Sequence, residues 1–138
     1  MTKKTYTLDL FEDLDFSVLG INSHAKPYTL CWSVNKQFDL SFERVSDQVV
    51  EDELIFSRYF CSTKKGDEYN IITNLSKKGY LIPEHKNTNY FLVINNKNWK
   101  LEKKDFIRKL RKNKEILLVF ELDTKRNKHI ERFIFKHA

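Results

Sequence analysis

Apolar and polar residues alternate over Thr5 to Leu10, with Tyr6, Leu8 and Leu10 on one side, which predicts a strand. Phe16 to Ile21 is a short apolar run that reads as a second strand or a buried turn ending near Gly20. Ser23 then suits the N-cap of a helix from about His24 to Phe38, with Pro27 tolerated in the first turn. Leu30, Val34 and Phe38 step by four along it, Cys31 and Trp32 widen the apolar arc, and Tyr28 lies beside them. Leu40 to Val45 alternates again and predicts a strand, followed by an acidic loop or short helix over Asp47 to Glu53. Leu54 to Ser62 and Glu68 to Leu75 form a hairpin closed by Lys64-Lys65-Gly66-Asp67, with Tyr69, Ile71 and Leu75 on one face.

Tyr80 to Ile82 runs into Pro83, which cannot donate to a central ladder and so marks a strand end or edge. Tyr90 to Ile94 is a continuous apolar run, the pattern of a strand buried on both faces, and Ile116 to Leu122 reads as another buried strand. Between them a helix is predicted from about Lys100 to Lys112. Strand, helix and strand here can form a βαβ unit, or the helix can return the chain to an antiparallel neighbour. Arg132 to Phe135 closes the chain as an apolar segment suited to an edge strand. The expected fold is α+β: one domain over residues 1–138, a mostly antiparallel sheet packed with two helices, and a C-terminal βαβ unit as one option.

Composition agrees with a folded domain, since aromatic residues make up 14% of the chain and only 3 Gly and 2 Pro occur. No apolar run approaches membrane-spanning length, and the N-terminal stretch carries no secretory or mitochondrial address, so a cytoplasmic protein is expected. Cys31 and Cys61 lie far apart and read as reduced, core-facing thiols. Asn74-Leu75-Ser76 matches a glycosylation sequon that a cytosolic chain would never present to that machinery.

Charge changes the picture more. The net charge is +6, yet residues 1–69 carry 8 Lys/Arg against 12 Asp/Glu, whereas residues 70–138 carry 17 against 7. Nine basic and two acidic residues fall between Lys97 and Lys114. Within the second helix Trp99, Phe106, Ile107 and Leu110 take one side. Lys100, Lys104, Arg108 and Arg111 descend another, with Lys109 and Lys112 nearby. Such a stripe suits an anionic partner, either RNA or an acidic protein, although Lys-rich helices are also common solvated faces. No RNA-recognition signature accompanies it.

Catalytic patterns are largely missing. There is no GxSxG string, no two glycines lie within ten residues of each other, and the four histidines show no metal-ligand spacing, so neither metal nor cofactor is expected. One pair, Glu84-His85 after Pro83, could serve acid–base chemistry, but adjacent residues on an extended chain point apart. Its plainer role is to pin the turn.

The string Ile82-Pro83-Glu84-His85-Lys86-Asn87-Thr88-Asn89-Tyr90 resembles the defining motif of the IPExxxVDY family, small proteins of the Bacteroidetes. Asp15-Phe16, Gly20-Ile21, Ser23, Tyr28, Leu30, Trp32 and Asn35 resemble its N-terminal half, and Tyr90-Phe91-Leu92 with Val119 to Asp123 its C-terminal half. Thr88 stands where the motif has Val and Asn89 where it has Asp, which suits a hydrogen-bonding turn residue better than a catalytic carboxylate. The motif then reads as architecture, with Ile82 and Tyr90 in the core and Pro83 and Glu84 shaping the loop. The resemblance brings no activity, cofactor or substrate. Its implied genetic setting, near ribonuclease III and fatty-acid synthesis, fits either RNA or an acidic carrier protein as partner.

The leading expectation is therefore a non-enzymatic module that binds an acidic protein or RNA through Lys100, Lys104, Arg108, Arg111 and Lys112. The alternatives are an enzyme with its site at Glu84, His85 and Tyr90, and a structural subunit whose exposed aromatics form an oligomer interface.

Overall fold

The run Ser17–Asn22 forms β1, and its residues alternate between two apolar layers. Leu19 and Ile21 face one core, while Val18 faces the other. In a computed structural model describing residues 16–51 and 53–135, β1 lies inside a sheet of six antiparallel-paired strands. Its remaining long strands are β2 (Glu43–Glu51), β3 (Leu54–Ser62), β4 (Glu68–Thr73), β7 (Tyr90–Asn95) and β8 (Leu118–Glu121), in the order β2-β3-β4-β7-β1-β8. The short strands β5 (Leu75–Ser76) and β6 (Gly79–Tyr80) form a separate two-stranded ribbon. The predicted strand over Thr5 to Leu10 lies outside the described residues.

Two helices, α1 (Pro27–Phe38) and α2 (Trp99–Arg111), cover one face of the sheet. Leu30, Cys31 and Val34 of α1 and Trp99, Ile107 and Leu110 of α2 pack onto Leu19, Ile21, Ile71, Leu92 and Ile94. The helices are tied to each other by Phe38 stacking on Phe106 at 4.6 Å and by the Gln37 amide donating to the Lys109 carbonyl at 2.5 Å. On the opposite face, Leu81, Ile82, Ile130 and Phe133 close a second core over Val18, Phe56, Ile72, Phe91 and Val93. The chain is thus a single α+β domain whose sheet is buried centrally on both sides.

β7 and β8 both pair antiparallel with β1, so they run parallel to each other with β1 between them. The C-terminal βαβ unit therefore exists in split form, because the centre of the sheet is already occupied by β1. The hairpin β3–β4 forms as predicted, with Gly66 at φ 92° supplying the left-handed turn position. Leu75 does not continue the face of Tyr69 and Ile71. The chain leaves the sheet at Asn74, and Leu75 is exposed in β5.

Other differences have local causes. α1 begins at Pro27 rather than His24, because proline fits the first helical position, and Lys26 precedes it without a side-chain cap. Ser23 is no cap: its hydroxyl accepts from the Ala25 N–H and donates to the Glu115 carbonyl. Tyr28 and Trp32 are 76% and 52% exposed and lie outside the apolar arc. Asp47 to Glu51 of the acidic stretch, expected as a loop or short helix, form the second half of β2, whose charges suit an edge and whose register shifts twice along β3. Among the described residues β8 is an edge strand, and it is not buried on both faces, since Leu118 and Glu121 are exposed. Arg132 to Phe135 is not a strand, since Ile130–Phe133 coils as a 3-10 turn that drops Ile130 and Phe133 into the second core.

Candidate binding surface and motif loop

Around α2 the sequence pattern becomes a sharp division. Trp99, Ile107 and Leu110 are buried, and Phe106 packs between Phe38, Tyr69 and Trp99. Lys100, Lys104, Arg108, Arg111 and Lys112 are all exposed. Not all have the same surroundings. Arg108 lies 3.3 Å from Asp105, and Arg111 donates to the Val119 carbonyl at 3.2 Å. Two cations outside the expected stripe are engaged as well: Lys103 pairs with Glu121 at 3.0 Å, and Lys109 lies 4.7 Å above the Phe38 ring. Among the described residues, no carboxylate lies within ion-pair distance of Lys100, Lys104 or Lys112.

Arg108, Lys109 and Arg111 occupy the last turn of α2, where the helix dipole favours positive charge. Their presence is accounted for by helix stability. Lys100 is different, because it sits in the first turn, where the same dipole disfavours a cation.

The motif loop is built from behind. Asn74 is completely buried between β4 and β5. Its amide donates to the carbonyls of His85 and Thr88, both at 2.8 Å, and its side-chain oxygen accepts from the Ile82 N–H at 2.9 Å. Its main chain adds bonds to Asn89 and Leu81. The side-chain bonds span 8 to 14 residues, so no local pattern marked Asn74, which stood out only as a sequon. Burial leaves no room for a glycan there.

Ile82 and Tyr90 are in the core as expected, on opposite sides of the sheet. Pro83 and Glu84 open a single 3-10 turn, Pro83–His85. The Glu84 carboxylate lies 3.0 Å from the His129 ring and 3.9 Å from Lys128. Burial acts to raise its pKa, but its own backbone N–H, His129 and Lys128 together outweigh burial and hold it below the ordinary value. The His85 ring packs on Phe120, at 5.2 Å between centroids. Tyr90 lies on the helical face, donating its hydroxyl to the Ala25 carbonyl at 2.5 Å, and burial pushes its pKa up to about 12.

Glu84, His85 and Tyr90 therefore do not converge on one point. Among the described residues, one groove of about 740 Å³ opens between β2 and the C-terminal turn and another of about 220 Å³ at the start of β1, and none of the three residues lines either. Cys31 and Cys61 are buried free thiols, and burial raises Cys31 to about 12, which keeps it unreactive at neutral pH. No three His, Cys, Asp or Glu side chains among the described residues cluster as a metal site, and no helix there is long and apolar enough to cross a membrane. No family model matches the chain, and no curated protein matches it either.

Proposed function

We propose that this chain is a binding module, not an enzyme, and that it engages an anionic partner through the exposed flank of α2. The observation that carries this reading is Lys100 with Lys104: both are exposed, neither has a carboxylate in reach among the described residues, and Lys100 opposes the helix dipole. A cation that costs helix stability without local compensation fits a surface that meets negative charge in a complex. A cytoplasmic setting suits the buried, reduced thiols.

We also propose membership of the IPExxxVDY family. What supports it is the way the two departures are used. Asn89 employs one acceptor oxygen, toward the Ser23 N–H at 2.8 Å, which an Asp would supply equally. Thr88 is buried where a similarly shaped Val would fit.

The test is fluorescence anisotropy with labelled polyglutamate and a single-stranded RNA, at low and high salt, for the wild type and K100E/K104E. Binding to at least one probe that weakens steeply with salt and drops at least about tenfold in the variant is expected. Salt-independent binding, or equal binding by the variant, refutes the proposal.

A further inference from the structure

The basic flank of α2 lies along β8, which among the described residues is a sheet edge. Among the described residues β8 pairs only with β1. Leu122 donates inward to Val18. In an antiparallel ladder the alternate residues, Val119 and Glu121, then turn their backbone groups away from β1. The Arg111 guanidinium confirms that direction by occupying the outward Val119 carbonyl. Arg111 to Val119 and Lys103 to Glu121 fasten the helix along this edge. Lys100 and Lys104 continue the row of Arg111 along the same flank of the helix. On the other face of β8, Leu118 is 51% exposed.

We infer that β8 is a docking edge for an extended peptide segment of a partner protein, one that alternates acidic and apolar residues. This rests on the proposed anionic-partner reading and specifies it. An added strand would pair its backbone with Val119 and Glu121. Its side chains alternate between faces. Those on the helical side meet Lys100, Lys104 and Arg111 and are acidic. Those on the other side meet Leu118 and are apolar. A four-residue edge extends about 13 Å and the 13-residue helix about 20 Å, so the whole edge lies within the length of α2.

Other occupants fit less well. A second copy pairing β8 with β8 would bring two basic flanks together. RNA would use the cations but neither the edge amides nor Leu118. The exposed rings that could stack on bases, Tyr28 and Trp32, lie roughly 140° around α1 from Ser33 and Gln37, the side chains that face α2.

The experiment is amide hydrogen exchange by NMR on the full chain, with and without a ten-residue peptide of alternating glutamate and valine. Polyglutamate and a single-stranded RNA serve as comparison probes. Expected is new protection of the Val119 and Glu121 amides with the alternating peptide alone. Glu121→Pro, which removes an outward N–H and leaves the β1 ladder intact, should weaken that peptide roughly three- to tenfold. Arg111 should shift as it leaves the Val119 carbonyl. Peptide binding without protection of these amides overturns strand addition while leaving anion binding by α2 standing. Failure of all three probes to bind overturns both proposals. Protection already present in the free chain means the edge is occupied and overturns the inference alone.

Discussion

Replacing Asn74 should be the most damaging single change in the motif region, although Asn74 lies outside the motif. Its side chain makes three hydrogen bonds of 2.8 to 2.9 Å to the main chain of Ile82, His85 and Thr88. Each such bond contributes roughly 0.5–1.5 kcal/mol net, and an orphaned buried partner costs about 1–3 kcal/mol more. Ile82 is fully buried, so its N–H could not turn to solvent, whereas the loop carbonyls could recover part of their loss. Asn74→Ala should therefore cost about 3–5 kcal/mol, a large share of the roughly 5–15 kcal/mol that stabilises a domain. Asn74→Asp separates hydrogen bonding from volume. It is almost isosteric and keeps an acceptor for Ile82, but it turns two donors into a carboxylate oxygen facing two carbonyls. At neutral pH it should cost as much as alanine. Urea denaturation followed by circular dichroism gives both values, and exchange at the Ile82 amide reports the local opening. Costs below about 1 kcal/mol for either variant, with an unchanged denaturant slope, would refute the reasoning.

Two further predictions concern packing and pH. A Cβ on Gly20 would fall on the Phe120 ring, which is itself backed by His85, so Gly20→Ala should cost about 1–3 kcal/mol. Phe120→Leu should cost less in that background than in the wild type, and strictly additive stabilities by denaturation would exclude this packing. Because Glu84 is held below its ordinary pKa in the fold, its contribution is fully present above the normal glutamate range near pH 4.3 and fades as pH falls through the lower folded value. Glu84→Gln should be slightly less stable than wild type at pH 7, by no more than about 1 kcal/mol for so exposed a pair, and the gap should close as acid protonates the carboxylate. A gap that widens on acidification would reverse the assignment.

Local chemistry was the legible part of this fold. The β3–β4 hairpin, β7 and α2 announce themselves because turn residues, continuous burial and a 3.6-residue period act over a few neighbouring positions. Strand order is a long-range property, and nothing near Ser17–Asn22 says that it will enter between β7 and β8. β2 was obscured for a different reason. An edge strand needs little burial, so its charged and irregular pattern looks like a loop. Trp32 and Tyr28 show the limit of hydrophobicity as a guide, because an aromatic residue at core spacing can equally lie in water. In the candidate surface, the basic row on α2 was readable, but its unequal pairing was not. Whether Arg111 or Arg108 is engaged depends on where Val119 and Asp105 lie in three dimensions.

The motif loop and the basic helix are physically connected, and this decides how variants in either must be interpreted. Asn89 accepts from the Ser23 N–H, Ser23 donates to the Glu115 carbonyl, and Glu115 bonds to Asn113 at 2.9 Å. Asn113 in turn holds Ser33 and Gln37, and Gln37 reaches the Lys109 carbonyl. A single polar chain thus links the loop at Asn89 to the end of α2 and to the start of β8. Loosening the loop should displace the segment that sets the height of Arg111 over the strand edge. Weakened binding in a motif variant would then follow from misplacement, with no contact between the motif and any partner. Charge changes at Lys100 and Lys104 touch none of these bonds, so only they report on the partner's charge directly. With recognition on α2 and β8, as proposed, the work of the motif is to hold them in register.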